Sequence, residues 1–100
     1  MPTLKGRPTM MRVARRYLVR GRVQGVGFRY FTQAAAVRAG VGGWVRNNPD
    51  GTVEIAAAGE PDALQQLEDE IRRGPPGARV DQVAINDDPA AAGDAHFAIR

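Results

Sequence analysis

The spacing of apolar residues changes in a fixed order along this chain, and this order restricts the fold more than any other feature of the sequence. Apolar residues recur every second position in segments typical of strands, and every three or four positions in two segments typical of helices. The predicted strands are residues 17–23, 44–47, 52–57, 80–85 and 95–99, and the predicted helices are residues 28–39 and 60–73. The order is therefore β-α-β-β-α-β followed by one terminal strand.

Elements in this order form the split β-α-β arrangement of ferredoxin-like folds. We expect an α+β sandwich in which an antiparallel four- to five-stranded sheet carries two helices on one face. The first two strands are then parallel, the third lies between them, and both end at the same edge of the sheet. Residues 23–27, which follow the first strand, and Asn47, which ends the second, should therefore be neighbours across two strand spacings, or about 10 Å.

Composition restricts the chemistry that such a domain can support. The 100 residues include no Cys and a single His, His96, which excludes disulfides, thiolate metal sites, cysteine-based phosphatase mechanisms and any histidine pair. We see no signal-peptide pattern and no apolar run of membrane-spanning length. We therefore expect a cytoplasmic protein that binds no membrane, and we further expect a monomer without a metal or cofactor.

Charge is unevenly distributed along the chain. Residues 1–49 carry ten Lys or Arg and no acidic residue, whereas residues 50–100 carry four basic and eleven acidic residues. Half of the ten lie in the first sixteen positions, and residues 17–100 have a net charge of −2. We predict a basic, flexible tail over residues 1–14 and one domain over residues 15–100, without the broad positive surface of nucleic-acid-binding domains.

The loop after the first strand is the first candidate for a functional site. Gly25 and Gly27 allow the backbone to turn its amide N–H groups inward and form an anion-binding nest at the start of a helix. Arg29 is the second residue of the predicted helix, and its guanidinium can bind two phosphate oxygens. The residue types alone also allow a plain turn followed by a solvated arginine. Neither the Walker pattern nor the dinucleotide-binding glycine pattern fits these positions.

Asn47 is the second candidate. It begins the sequence Asn-Asn-Pro-Asp-Gly, which is typical of turns. Its amide can close a phosphate pocket opposite the glycine loop, or it can simply form part of the turn. We expect Trp44 in the core. The polar residues that we expect in solvent without a catalytic role are Arg20, Arg22, Arg38, Arg46 and His96.

Both candidates lie in segments that resemble the two signature segments of the acylphosphatase family. VQGVGFR occupies residues 23–29 and GWVRN occupies residues 43–47, in the order of the family and with one predicted helix between them. The resemblance covers residues 15–100 and continues in DGTVE after the second segment, at Gly59 and in the final FAIR. Such a pair of segments is far more specific than either glycine loop or turn alone.

The resemblance implies metal-free hydrolysis of the carboxyl–phosphate bond of acyl phosphates to a carboxylate and inorganic phosphate. It implies that Arg29 binds the phosphate and that Asn47 orients the attacking water. It also implies that loop amides complete the phosphate site, and these belong to Gln24, Gly25, Val26, Gly27 and Phe28. Gly27 stands where many relatives carry a bulky aromatic residue, and Asn48 where some carry Thr, which leaves substrate preference and loop stiffness open.

Three other functions are compatible with this fold. An RNA-binding domain would need aromatic residues on the central strands, but the third strand presents Thr52, Glu54 and Ala56 outward. A non-catalytic phosphate-binding module would use the same pocket without hydrolysis. An accessory acylphosphatase-like module occurs in hydrogenase-maturation carbamoyltransferases, although the length of this chain favours a separate enzyme. We therefore expect a small-molecule acyl phosphate as partner, and no nucleic acid.

Overall fold

The computed structural model describes residues 12–88 and 95–100, and seven elements lie within them in the predicted order. The strands are β1 (Val13–Arg22), β2 (Gly42–Asn47), β3 (Val53–Gly59), β4 (Arg79–Asp87) and β5 (Phe97–Ile99), and the helices are α1 (Phe28–Ala39) and α2 (Pro61–Arg73). The predicted type of each element is confirmed. Neither helix is long and apolar enough to cross a membrane.

The five strands form one sheet in the order β4-β1-β3-β2-β5. The neighbouring pairs β1–β4, β1–β3 and β2–β3 are antiparallel, and β1 and β2 run parallel to each other on either side of β3. The terminal strand β5 pairs with β2 in parallel, so the sheet is mixed rather than wholly antiparallel. Apolar alternation indicates which face of a strand is buried, but it does not indicate the direction of the neighbouring strand.

Residues 13 and 14, which the sequence placed in the tail, form the start of β1. Val13 pairs with Gly59, and Ala14 is buried in a small cluster of alanines. The charged residues 15–16 interrupt the apolar spacing at this point, so that alternation gave no strand signal ahead of Tyr17. The rest of the predicted tail, residues 1–11, lies outside the described residues.

One face of the sheet packs against both helices and forms the main core. The apolar stripe predicted for α2 is fully buried, as is nearly all of Phe28 at the start of α1. The largest apolar side chains that are fully buried in this core are Tyr17, Phe28, Ile55, Leu64, Leu67, Ile71, Val19, Val23, Val45 and Val53. Burial of each such side chain stabilises the fold by about 1.5–3 kcal/mol. Helix α1 packs against α2, β2 and β5, which places the end of the loop between β1 and α1 close to β2.

The opposite face of the sheet, here called the outer face, carries Trp44. The prediction that Trp44 lies in the core is wrong, because the neighbouring Val45 is fully buried and side chains alternate along a strand. The indole is half-buried on the outer face, where the guanidinium carbons of Arg16, Arg46 and Arg100 lie 5.2, 5.1 and 4.5 Å from its centroid. These cation–π contacts stabilise an indole that the core does not cover.

Candidate active site

Loop 23–27 joins β1 to α1, and two left-handed glycines shape it. The φ angle is +75° at Gly25 and +79° at Gly27. A Cβ atom at either position would meet no heavy atom within 4 Å, so the backbone conformation, rather than crowding, requires glycine here. Left-handed residues in such a turn direct successive amide N–H groups to one side, which makes a concave site for an anion.

The start of α1 adds further N–H donors at the same place. Gly27 is the N-cap, and it has no side chain that could accept hydrogen bonds from the first turn. The first intrahelical bond runs from the amide of Phe31 to the carbonyl oxygen of Gly27, at 3.0 Å. The amides of residues 28–30 therefore have no acceptor within the helix. The first turn contains no acidic residue, so the positive end of the helix dipole remains available to an anion.

Loop 23–27, the first turn of α1 and the end of β2 enclose a pocket of about 150 Å³. Its lining residues are Val23, Gly25, Gly27, Phe28, Arg29, Tyr30 and Asn47. Arg29 and Asn47 therefore line one pocket, as the strand order predicted. Because β3 separates β1 from β2, the loop and the start of α1 must bridge that strand to reach Asn47.

The guanidinium of Arg29 is held from the side of β5. Its Nη1 donates to the main-chain oxygen of Arg100 at 3.1 Å. Gln33, one turn further along α1, donates to the main-chain oxygen of Phe97 at 3.0 Å. The bond to Arg100 uses one of the five guanidinium donors, so the group can bind an anion without leaving this partner. Arg100, the residue after β5, thus contributes to the site, a role that the sequence did not reveal.

Asn47 is the half-buried last residue of β2 and pairs with Val53. Side chains stabilise the turn that follows, residues 48–52. The amide and hydroxyl of Thr52 donate to Asp50 Oδ1 at 3.0 and 2.7 Å, and Asn48 Nδ2 donates to the Thr52 hydroxyl at 3.0 Å. The hydrogen bonds from Thr52 lower the pKa of the Asp50 carboxyl. Asn47 is therefore followed by an internally bonded turn.

Two residues predicted for the phosphate site direct their side chains elsewhere. Gln24 Nε2 donates to the main-chain oxygens of Asn48 and Thr52, at 2.8 and 2.9 Å. Val26 packs against the main core. Neither residue is among those that line the pocket. Their main-chain amides still belong to loop 23–27, and any contribution to phosphate binding has to come from these amides.

Two further residues line the pocket without having been predicted as site residues. Val23 is almost completely buried beneath it, whereas the side chain of Tyr30 is 68% exposed at its rim. Tyr30 directly follows Arg29 and lies outside the apolar stripe of α1. An aromatic residue on the polar side of a helix was the sequence signal that could have identified it.

The polar residues expected in solvent, Arg20, Arg22, Arg38, Arg46 and His96, are all exposed. Arg38 pairs with Glu70 and Arg46 with Glu54, both at 2.9 Å. Within residues 12–88 and 95–100, no group of three or more His, Asp or Glu side chains is arranged to hold a metal ion. The polar groups that line the pocket are main-chain N–H donors, the guanidinium of Arg29, the amide of Asn47 and the phenol of Tyr30.

Comparison with known proteins relates this arrangement to one family. Residues 15–99 match the family model described as acylphosphatase. An acylphosphatase of Nitrobacter winogradskyi is 53% identical over 83 residues, which are 83% of this chain and 82% of that protein. The aligned regions of this and other curated acylphosphatases span between 66% and 82% of those proteins.

Solved structures show the same similarity. The crystal structure of acylphosphatase from Bacillus subtilis matches with a TM-score of 0.84 and 40% identity, over 88% of this chain and 98% of that one. Full-length HypF in a phosphate- and nucleotide-bound form matches with a TM-score of 0.80 and 28% identity, over 96% of this chain but 12% of that one. The first match spans nearly a whole protein, whereas the second involves a small part of a longer one.

Proposed function

This chain belongs to the acylphosphatase family, and we propose that it hydrolyses acyl phosphates in the pocket described above, with Arg29 holding the phosphate and Asn47 orienting the attacking water. The family and its relatives make the chain an acylphosphatase, a hydrolase that acts on phosphorus-containing anhydrides. The observation that carries the assignment of residues is that both side chains line one pocket with loop 23–27.

Phosphate binding follows from the donors around the pocket. The amides of loop 23–27 and of the first turn of α1 can surround a phosphate dianion, and the guanidinium of Arg29 can bind two of its oxygens. In a loose, metaphosphate-like transition state, negative charge is spread over the three equatorial oxygens. Donors that are already in place when this charge develops lower the barrier, because they need no reorganisation during the reaction.

The leaving group explains why the pocket needs no general acid. Cleavage of the bond between phosphorus and the bridging oxygen releases a carboxylate, which is stable without a proton at neutral pH. The reaction therefore requires a water molecule in line with the breaking bond and stabilisation of the phosphoryl group. Both requirements can be met without His or Cys side chains in the pocket.

Asn47 suits the placing of that water. Its side-chain oxygen can accept a hydrogen bond from water, which directs a lone pair towards phosphorus, but a neutral amide cannot take a proton. As the new oxygen–phosphorus bond forms, the proton passes to a phosphate oxygen of the substrate or to solvent. One chain supplies every residue that lines the pocket, so we propose that a monomer is active.

The experiment that tests this function compares substrates. The purified protein should hydrolyse acetyl, carbamoyl and benzoyl phosphates and should leave simple phosphate esters intact, whose alkoxide leaving groups do need a proton. EDTA should not change the rate, because the described residues offer no metal-binding group. Binding of phosphate without hydrolysis of any acyl phosphate would favour the non-catalytic anion-binding module instead.

A further inference from the structure

The backbone pairing between β1 and β3 stops before it reaches loop 23–27 and the turn that follows Asn47. The ladder between β1 and β3 ends at the pair Val19 and Val53. Residues 20–22 continue in β1 but pair with β4, on the other side. Beyond Val19, the strand ladders therefore do not link the chain that enters loop 23–27 to the turn at residues 48–52.

The side chain of Gln24 provides that link. Its Nε2 group donates one hydrogen bond to the main-chain oxygen of Asn48 and one to that of Thr52, at 2.8 and 2.9 Å. Asn48 directly follows Asn47, and Thr52 directly precedes Val53, the partner of Asn47 in the ladder. The Gln24 side-chain amide thus bonds to Asn48 and Thr52, the residues next to the ladder pair Asn47–Val53.

We propose that Gln24 is a positioning residue that fixes the distance between the phosphate-binding loop and the water-orienting Asn47. This inference rests on the function proposed above and goes beyond it, because the Gln24 side chain is not among those that line the pocket. Both N–H groups of its amide are engaged with the turn, so they cannot bind phosphate without breaking the link. The loop shape itself depends on Gly25 and Gly27 rather than on this amide.

Loss of the link therefore has a specific kinetic signature. Phosphate should still bind to the loop and to Arg29, whereas the water held by Asn47 should be out of line. A displacement of about 1 Å between reacting groups lowers rates by about 100-fold. We expect kcat to fall by up to this factor, while the inhibition constant for inorganic phosphate stays close to that of the unsubstituted protein.

Gln24→Glu is the decisive variant. It has the size of Gln, but its carboxylate cannot donate and faces two carbonyl oxygens. A protonated carboxyl can donate one hydrogen bond, and the facing oxygens raise its pKa above the ordinary value of about 4.3. The kcat of this variant, divided by that of the unsubstituted protein at the same pH, should therefore rise as the pH falls through that pKa. Circular dichroism should show the same folded fraction across this pH range, so that the rise reports on positioning rather than on recovered stability.

Gln65→Glu is the control. Gln65 is exposed on α2 and its Nε2 donates to Asp69 Oδ1 at 3.0 Å, so the same substitution is made away from loop 23–27 and the turn. This variant should keep its kcat without the recovery at low pH. Gln24→Asn, which retains the amide on a shorter side chain, serves as the second variant if Gln24→Glu does not fold, and it should show the same loss of kcat with phosphate inhibition retained.

The outcomes separate this inference from the proposed function. An unsubstituted protein that hydrolyses no acyl phosphate overturns the function itself. An active protein whose Gln24 variants keep a normal kcat overturns the inference alone. It is also overturned if phosphate inhibition weakens as much as kcat falls, since Gln24 would then act in binding, or if Gln65→Glu loses kcat to the same extent.

Discussion

Replacement of Arg29 by Ala should reduce activity far more than stability. In the folded protein the guanidinium makes one described hydrogen bond, 3.1 Å long, to the main-chain oxygen of Arg100. Loss of such a bond lowers the free energy of unfolding by about 0.5–1.5 kcal/mol. Loss of a preorganised donor to a developing oxyanion lowers kcat by about 100- to 1,000-fold, or about 2.7–4 kcal/mol. The expected effect on the transition state is thus severalfold larger than the effect on folding.

The assay is the hydrolysis of benzoyl phosphate, with urea unfolding of the same samples. Arg29→Lys keeps the charge but cannot bind two oxygens in one plane, so it should fall between Ala and the unsubstituted protein. Arg38→Ala is the control, because Arg38 lies on the same helix, is exposed, and pairs only with Glu70 among the described residues. This control should keep full activity.

Two results would refute the reasoning. If Arg29→Ala retains kcat/KM within about tenfold of the unsubstituted protein, the residue does not hold the phosphoryl group, because tenfold corresponds to only about 1.4 kcal/mol. If Arg38→Ala loses as much activity as Arg29→Ala, the loss reflects a general property of α1 rather than contact with the substrate.

Three further predictions concern other parts of the molecule. Asn47→Ala should lower kcat for benzoyl phosphate by about 100-fold with an unchanged circular dichroism spectrum, and full activity would remove Asn47 from the mechanism. Gly27→Ala should destabilise the fold by about 1–2 kcal/mol in urea unfolding, because φ is +79° there, and should weaken phosphate inhibition. Burial raises the pKa of Glu54, but hydrogen bonds from Arg16 and Arg46 outweigh it and lower the pKa overall. Glu54 therefore stabilises the fold above its unfolded-state pKa of about 4.3, and this stability is lost as the pH falls through the lower folded value. Glu54→Gln should flatten that acid-side decline in melting temperature, and an unchanged decline would contradict the assignment.

The sequence predicted the parts of this structure that depend on periodicity. The apolar stripe of α2 specifies its buried face directly, and the order of elements then places Arg29 and Asn47 at one edge of the sheet. Alternation in β3 identifies the face that meets the helices, but Thr52 and Ala56, expected to point outward, are buried as well. The expectation of Trp44 in the core is wrong, because the next residue, Val45, faces the main core and Trp44 lies on the outer face. The parallel direction of β5 could not be predicted, since a strand of three residues carries no signal for its neighbour.

The site was predictable as a set of backbone positions rather than as a set of side-chain directions. Gly25 and Gly27 permit the left-handed conformation that the loop adopts. The direction of Gln24 depends on where the turn at residues 48–52 lies in space, and the partner of Arg29 depends on the position of β5. Contacts between segments so distant in sequence have no local signature, so they emerge only from the folded chain.

The hydrogen bond from Arg29 to Arg100 has a practical consequence for recombinant work. An affinity tag fused after Arg100 would start at the carbonyl that the Arg29 guanidinium contacts. A bulky or acidic tag would then compete with the substrate for this guanidinium. A tag ahead of Met1 is separated from β1 by residues 1–12. Enzyme for kinetic comparison should therefore be labelled at its amino end, or the carboxyl-terminal label should be cleaved before any rate is measured.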